Sequence, residues 1–141
     1  MAAPADPEIT PRHRVLIVDD EESTRLLLAR MLTDELDVEA QLAGTCEQAL
    51  KLAGNYAYDA ILLDLLMPGV GGLGVLAAVR AASPNANTPV IIVSIVTDDE
   101  TVKRCMEGGA SAYHVKPVRR AELVSIVKAQ LAGRGKPKAP R

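Results

Sequence analysis

The sequence predicts an α/β domain of the doubly wound class, a parallel sheet with helices on both faces. Three short runs, "VLIV" (15–18), "AILL" (60–63) and "VIIV" (90–93), are continuously apolar and rich in β-branched residues, as strands covered on both faces are. A strand-then-helix alternation then repeats five times, which calls for right-handed crossovers and a parallel (βα)5 arrangement. At 141 residues the chain fits one domain with a useful core.

In chain order, the first strand ends at Asp19-Asp20, followed by Glu21 and Glu22. Leu27, Leu28, Met31 and Leu32 then recur at helical spacing. "VEAQLA" (38–43) mixes polarity, as an outer strand does, and Ala49, Leu50 and Ala53 mark the second helix. The third strand stops at one carboxylate, Asp64, and the chain breaks soon after at Met67-Pro68-Gly69. A third helix follows near residues 72–82 and ends at "SPN". The fourth strand ends in Ser94, and Val102, Cys105 and Met106 mark the fourth helix. "SAYHV" (111–115) is a second outer strand that runs into Lys116-Pro117, and Leu123, Ile126, Val127 and Leu131 mark the fifth helix. Residues 1–12 read as a flexible N-terminal extension, 13–132 as the domain, and 133–141 as a basic C-terminal tail or the start of a linker.

Composition narrows the function. With no Phe or Trp and only three Tyr, the chain lacks the side chains for base stacking or an aromatic cofactor box. A formal net charge of -2 argues against direct nucleic-acid or anionic-membrane binding. Cys46 and Cys105 form no CxxC pair, so metal-thiolate and disulfide chemistry are unsupported and a reducing cytoplasm is the expected location. No apolar leader or membrane span is recognisable.

In a doubly wound sheet, ligands bind beyond the carboxyl ends of the strands where strand order reverses. Asp19, Asp20, Asp64, Ser94 and Lys116 all stand at such ends. Two like charges at about 4 Å repel by about 4 kcal/mol at an effective dielectric of about 20, so three carboxylates require a cation. A hard divalent ion with oxygen ligands suits them, and Mg2+ tolerates few carboxylates because it retains water. Lys116 supplies a second positive charge, and the two together answer for an ionisable Asp64 at the end of a buried strand.

The acidic pair Asp19-Asp20, the "DxxMPxxxG" stretch from Asp64 to Gly72, Ser94, and Tyr113 with Lys116-Pro117 form one ordered set, with 22 residues from Ser94 to Lys116. On these residues, over about 13–132, the chain resembles the receiver domain of two-component response regulators, the CheY-like family. The resemblance implies a flavodoxin/CheY-like sheet of order 2-1-3-4-5. It implies Asp64 as phosphoacceptor from the phosphohistidine of a sensor histidine kinase or phosphotransfer protein. Mg2+ would be held by Asp20 directly, by Asp19 through water or as a supporting ligand, by Asp64, and by the backbone carbonyl of Leu66. Lys116 would pair with Asp64 and later with a phosphoryl oxygen, and the Lys116-Pro117 bond would be cis. Ser94 and Tyr113 would form the switch, read out on the surface of the fourth helix, fifth strand and fifth helix by an effector protein, an output domain or a second copy of the chain. That surface holds Lys103, Arg104, His114, Arg119, Arg120 and Lys128 and is expected to be basic. The isolated acidic pair has a humbler reading as a helix cap.

Two departures from the family pattern carry expectations. Ile95 stands where the family commonly has a small residue, so small phosphoryl donors should react slowly. Leu66 and Val96 cannot orient a hydrolytic water by hydrogen bonds, so an aspartyl phosphate should be long-lived. Leu66 also replaces the second Asp that an aspartyl-phosphate phosphatase would use as acid and base, which leaves a non-phosphorylated interaction module as the stronger alternative to a phosphoacceptor. The reading is of a signalling switch and not of a turnover enzyme.

Overall fold

The structure, a computed structural model, describes residues 12–133. The expected N-terminal extension and basic tail lie outside the described residues, but for Arg12 and Gly133. The elements run β1 (His13–Val18), α1 (Glu22–Glu35), β2 (Val38–Ala43), α2 (Cys46–Asn55), β3 (Ala60–Leu63), α3 (Gly71–Ala82), β4 (Val90–Ser94), α4 (Asp99–Glu107), β5 (Ala112–Val115) and α5 (Arg120–Ala132). The strands form one parallel sheet of order β2-β1-β3-β4-β5, so the expected class and order hold. The three continuously apolar runs are the central strands and the two mixed ones are the edges.

Strand residues alternate between two cores, as the two-residue side-chain period of a pleated strand requires. Leu16, Val18, Ile61, Leu63 and Ile92 meet Ala49 and Ala53 of α2, Val75, Leu76 and Val79 of α3, and Cys105 of α4. Val15, Ile17, Leu62, Ile91 and Val93 meet Leu28, Met31 and Leu32 of α1 and Leu123, Val127 and Leu131 of α5. Each fully buried aliphatic side chain contributes about 1.5–3 kcal/mol relative to exposure. Three members of the expected helical patterns lie outside these cores: Leu27, Met106 and the half-buried Val102. Leu27 is 50% exposed beside Leu26 at 54%, and Met106 is 43% exposed. An apolar residue one step off the buried stripe turns outward by the 100° pitch of the helix.

Local chemistry starts the helices. Thr45 caps α2 by accepting from Gln48 N, and Gln48 Oε1 reaches back to accept from Gly44 N ahead of the cap. Asp98 caps α4 by accepting from Thr101 N. The N-cap of α1 is Glu21, with no side-chain cap bond, so neither Asp19 nor Asp20 is the N-cap of that helix.

The register aligns the carboxyl ends of β1 and β3, with Val18 opposite Leu63. One residue further on, Asp64 N donates to Val18 O at 2.9 Å, and Asp19 N donates to Ala43 O at 3.2 Å. Ser94 pairs with Val115, and Lys116 N donates to Ser94 O at 2.9 Å. Five-stranded pairing thus brings the predicted residues to one edge of the sheet.

Candidate functional site

Asp19, Asp20 and Asp64 each offer a carboxylate oxygen, and these oxygens all lie within 4.8 Å of one another. Asp19 and Asp64 are 1% and 5% exposed, whereas Asp20 faces solvent. A buried carboxylate must be compensated, and Lys116 Nζ does so at 2.9 Å from Asp19 Oδ2 and 3.6 Å from Asp64 Oδ2. The ammonium therefore bridges two carboxylates and its shorter contact is to Asp19, where the sequence reading paired it with Asp64 alone. Each carboxylate gives the ammonium one oxygen and turns the other to a backbone N–H, Asp19 Oδ1 to Glu21 N at 2.9 Å. Asp64 Oδ1 accepts from Leu66 N at 3.3 Å in the same way. The Lys116-Pro117 bond is cis, as expected.

Burial raises the Asp64 pKa above the usual carboxylate value, with Asp19 and Asp20 adding to the rise; Lys116 and the Leu66 N–H oppose it. Burial also works against the Lys116 ammonium. Its hydrogen bond to Asp19 and the charges of Asp64 and Asp19 outweigh that, so its pKa lies above the ordinary lysine value. One ammonium against three carboxylates leaves an excess of negative charge, and the donor set is oxygen alone. A hard divalent cation fits such a set, and Mg2+ fits it with water completing the shell.

Two further features shape the site. Asp64 and Leu65 lie directly under Gly72 at the start of α3, where an added Cβ would stand 2.3 Å from Asp64 O and 2.6 Å from Leu65 Cα. Gly69 and Gly71 turn the intervening loop at φ 93° and 74°, a region that favours glycine. The motif's final glycine is thus a close-approach residue that lets α3 seat on the backbone of Asp64 and Leu65.

Ser94 is fully buried; its Oγ accepts from Val96 N at 3.2 Å, and its side chain is also hydrogen-bonded to Tyr113. Tyr113 is half-buried and its hydroxyl donates to Val96 O at 2.6 Å. Ser94 and Tyr113 therefore hold the two faces of one residue in the loop ahead of α4. Ile95, between Ser94 and Val96 in the chain, is 63% exposed.

The expected basic readout surface is only partly assembled. His114 is buried, with Nε2 accepting from Arg119 N at 3.3 Å. Arg120 turns to α1 and pairs with Asp34 and Glu35, each at 3.1 Å. Lys128 lines a groove with Arg120 and Glu35. Lys103, Arg104, Arg119 and Lys128 are exposed, as is Arg120 beside its acidic partners. Sequence reasoning also assigned nothing to Arg25, whose Nη1 donates to Asp19 O at 2.7 Å. Its only signal is a cation one helical turn past the acidic pair.

Comparison with known proteins gives one family. The model of the response regulator receiver domain matches residues 15–128. The sensory/regulatory protein RpfC of Xanthomonas campestris pv. campestris is 35% identical over 116 residues, covering 81% of this chain and 16% of RpfC. The DNA-binding response regulator MtrA of Mycolicibacterium smegmatis is 35% identical over 122 residues, covering 86% of this chain and 52% of MtrA. The chain thus spans about half or less of these relatives' length. Among solved structures, Vibrio cholerae chemotaxis protein CheY4 superposes with a TM-score of 0.79 at 29% identity, covering 85% of this chain and 99% of that one. The receiver domain of a Pseudomonas aeruginosa sensor histidine kinase, with a magnesium ion coordinated in its active-site cleft, superposes with a TM-score of 0.78 at 26% identity, covering 86% and 98%.

Proposed function

The chain belongs to the response regulator receiver domain family, and from that premise we propose that it accepts a phosphoryl group on Asp64 from a histidine kinase or phosphotransfer protein in a Mg2+-dependent reaction. The observation that carries this reading is the buried Asp64 carboxylate facing Asp19, Asp20 and the Lys116 ammonium. Phosphoryl transfer asks a protein chiefly for positioning and charge stabilisation, and this pocket supplies both.

An Asp64 carboxylate oxygen forms a bond to phosphorus as the phosphorus–nitrogen bond of the donor's phosphohistidine breaks. The electron pair returns to the imidazole nitrogen, and the histidine is released. Asp19, Asp20, Asp64 and the Leu66 carbonyl would hold Mg2+, which when bound neutralises charge on the phosphoryl oxygens. Lys116, tied to Asp19, would meet a second phosphoryl oxygen, and the Ser94 hydroxyl would turn from Tyr113 to donate to a third. Drawing Ser94 toward the phosphoryl group would loosen its bond to Val96 and change the footing of Tyr113 on the same residue. That is the route by which the α4-β5-α5 face would switch, for an effector, an output domain or a second copy. The reading carries with it a cytoplasmic location; among the described residues no helix is long and apolar enough to cross a membrane.

The test is phosphoryl uptake, read by intact mass after incubation with a phosphoryl donor, by the wild type and Asp64→Asn with and without Mg2+. Uptake only by the wild type with Mg2+ is expected. No uptake by the wild type with any donor would favour a receiver-like interaction module that is not phosphorylated. Sustained turnover of a phosphomonoester would favour a phosphatase, against which Leu66 stands.

A further inference from the structure

Asp19 is held at every polar group it has. Its N–H donates to Ala43 O at 3.2 Å, one carboxylate oxygen accepts from Glu21 N at 2.9 Å, the other meets Lys116, and its carbonyl accepts from Arg25 Nη1 at 2.7 Å. Asp20 differs in kind: its side chain is exposed. The direction in which Asp20 leaves the chain is governed by the peptide plane that joins it to Asp19. The carbonyl of that plane is the group Arg25 holds.

Arg25 reaches it over Gly44, at the end of β2. A Cβ on Gly44 would lie 2.7 Å from Arg25 Nη1 and 3.1 Å from Arg25 Cζ. Among the described residues no left-handed backbone requires a glycine there, since positive φ is confined to Gly69, Gly71 and Gly109. Space for the guanidinium is what the missing side chain provides.

We infer that Arg25 is a positioning residue for the metal site: it fixes the Asp19–Asp20 peptide so that the exposed Asp20 carboxylate faces Asp19 and Asp64, and Gly44 is the clearance that lets it do so. The inference rests on the proposed Mg2+ site and adds to it a residue that touches neither metal nor phosphoryl group.

Charge and geometry make opposite predictions here. Arg25 is a cation near a cation site, so through charge alone its removal would tighten Mg2+ binding. Through positioning, its removal weakens binding. Gly44→Ala separates the two further, because it displaces the guanidinium without altering any charge.

The experiment is Mg2+ binding by isothermal titration calorimetry on the wild type, Arg25→Met, Arg25→Lys, Gly44→Ala and the Arg25→Met/Gly44→Ala double variant. Amide exchange of residues 19–21 in metal-free protein is followed in parallel. The expected result is a Kd raised about three- to tenfold in Arg25→Met and in Gly44→Ala, as loss of a charge-assisted hydrogen bond allows. The lysine variant recovers part of the affinity, and the double variant is no weaker than Arg25→Met alone, as two substitutions acting through one contact require. Faster exchange at Asp20 and Glu21 without metal would support the same cause, independently of activity. Tighter or unchanged binding by both single variants, with the wild type binding normally, overturns the inference and leaves the proposed function standing. A wild type that binds no Mg2+ overturns both.

Discussion

At the scale of single residues, the site is built from groups of unlike visibility. Gly72 shows what its motif means physically, since any side chain there would enter the backbone of Asp64 and Leu65. Gly72→Ala is expected to cost about 3 kcal/mol, the upper range for overpacking a site that cannot yield, and to lower phosphoryl uptake because what must move carries the acceptor. Chemical denaturation together with intact mass checks both, and a stable variant with normal uptake would refute it. Ile95 is 63% exposed, so its truncation should cost little stability, and the resemblance makes it the residue to test for access to Asp64. Ile95→Ala should speed phosphorylation by acetyl phosphate several-fold at unchanged melting temperature, and an unchanged rate would show that the side chain leaves the approach clear. Asp19, Asp20, Asp64, Ser94 and Lys116 were legible in the sequence because polar or charged types at the ends of apolar runs demand partners. Arg25 was not legible, because one arginine on a helix carries no such demand until the fold shows which carbonyl it meets.

At the scale of elements, the legible strands were those with continuous apolar runs, and the mixed ones were correctly placed at the edges. Strand order came only with the family resemblance, since periodicity fixes the faces of an element and not its neighbours. The same limit explains His114 and Arg120. Charge alone placed them on the α4-β5-α5 surface, whereas packing buries one and turns the other to α1. The amino end of the sheet, opposite the site, is held by polar devices that no pattern announces. Arg80 of α3 donates to Gly109 O from Nε and Nη2, at 3.1 and 2.9 Å, and to Asn85 O and Ala86 O from Nη1, at 3.0 and 3.2 Å, which ties the turn after α4 to α3. Asn85, fully buried, donates to Ala53 O and Tyr56 O and accepts from Tyr58 N and Thr88 Oγ1, linking the end of α2 to the turn before β4. Asn85→Ala leaves those backbone groups buried and unmet, and should cost about 3 kcal/mol. The site lies at the other edge of the sheet, so Mg2+ affinity in the folded variant should be that of the wild type. Urea unfolding and calorimetry on the same sample check the pair of expectations, and a loss of affinity would show that the two ends of the sheet are coupled.

At the scale of the whole molecule, the acidic pocket sets how stability responds to pH and to metal. Burial and the neighbouring carboxylates raise the Asp64 pKa, so the folded protein holds this proton more tightly than the unfolded chain does. Folding with Asp64 ionised is therefore less favourable than folding with it protonated, and the deficit is present at neutral pH. It is relieved as pH falls through the folded pKa toward the ordinary carboxylate value. Lys116, whose pKa is also raised, contributes stability that is present below its ordinary value and lost as pH rises through its folded value, so it leaves the acid limb to Asp64. Mg2+ acts on the same group in the opposite sense, because it binds ionised carboxylates and competes with the proton. At about a hundred times its Kd, a ligand of the native state adds about 2.7 kcal/mol, so Mg2+ should raise the melting temperature clearly near neutrality. The gap between metal-bound and metal-free melting curves should then close as the solution is acidified, from one side because metal is displaced and from the other because protonated Asp64 no longer opposes folding. Asp64→Asn should raise the metal-free melting temperature at neutral pH, remove its share of the pH dependence, and shrink the Mg2+ gap. Scanning calorimetry of both proteins across the acid range, with and without Mg2+, checks this; a wild-type gap that stays constant would mean that Mg2+ stabilises the fold somewhere other than at Asp64.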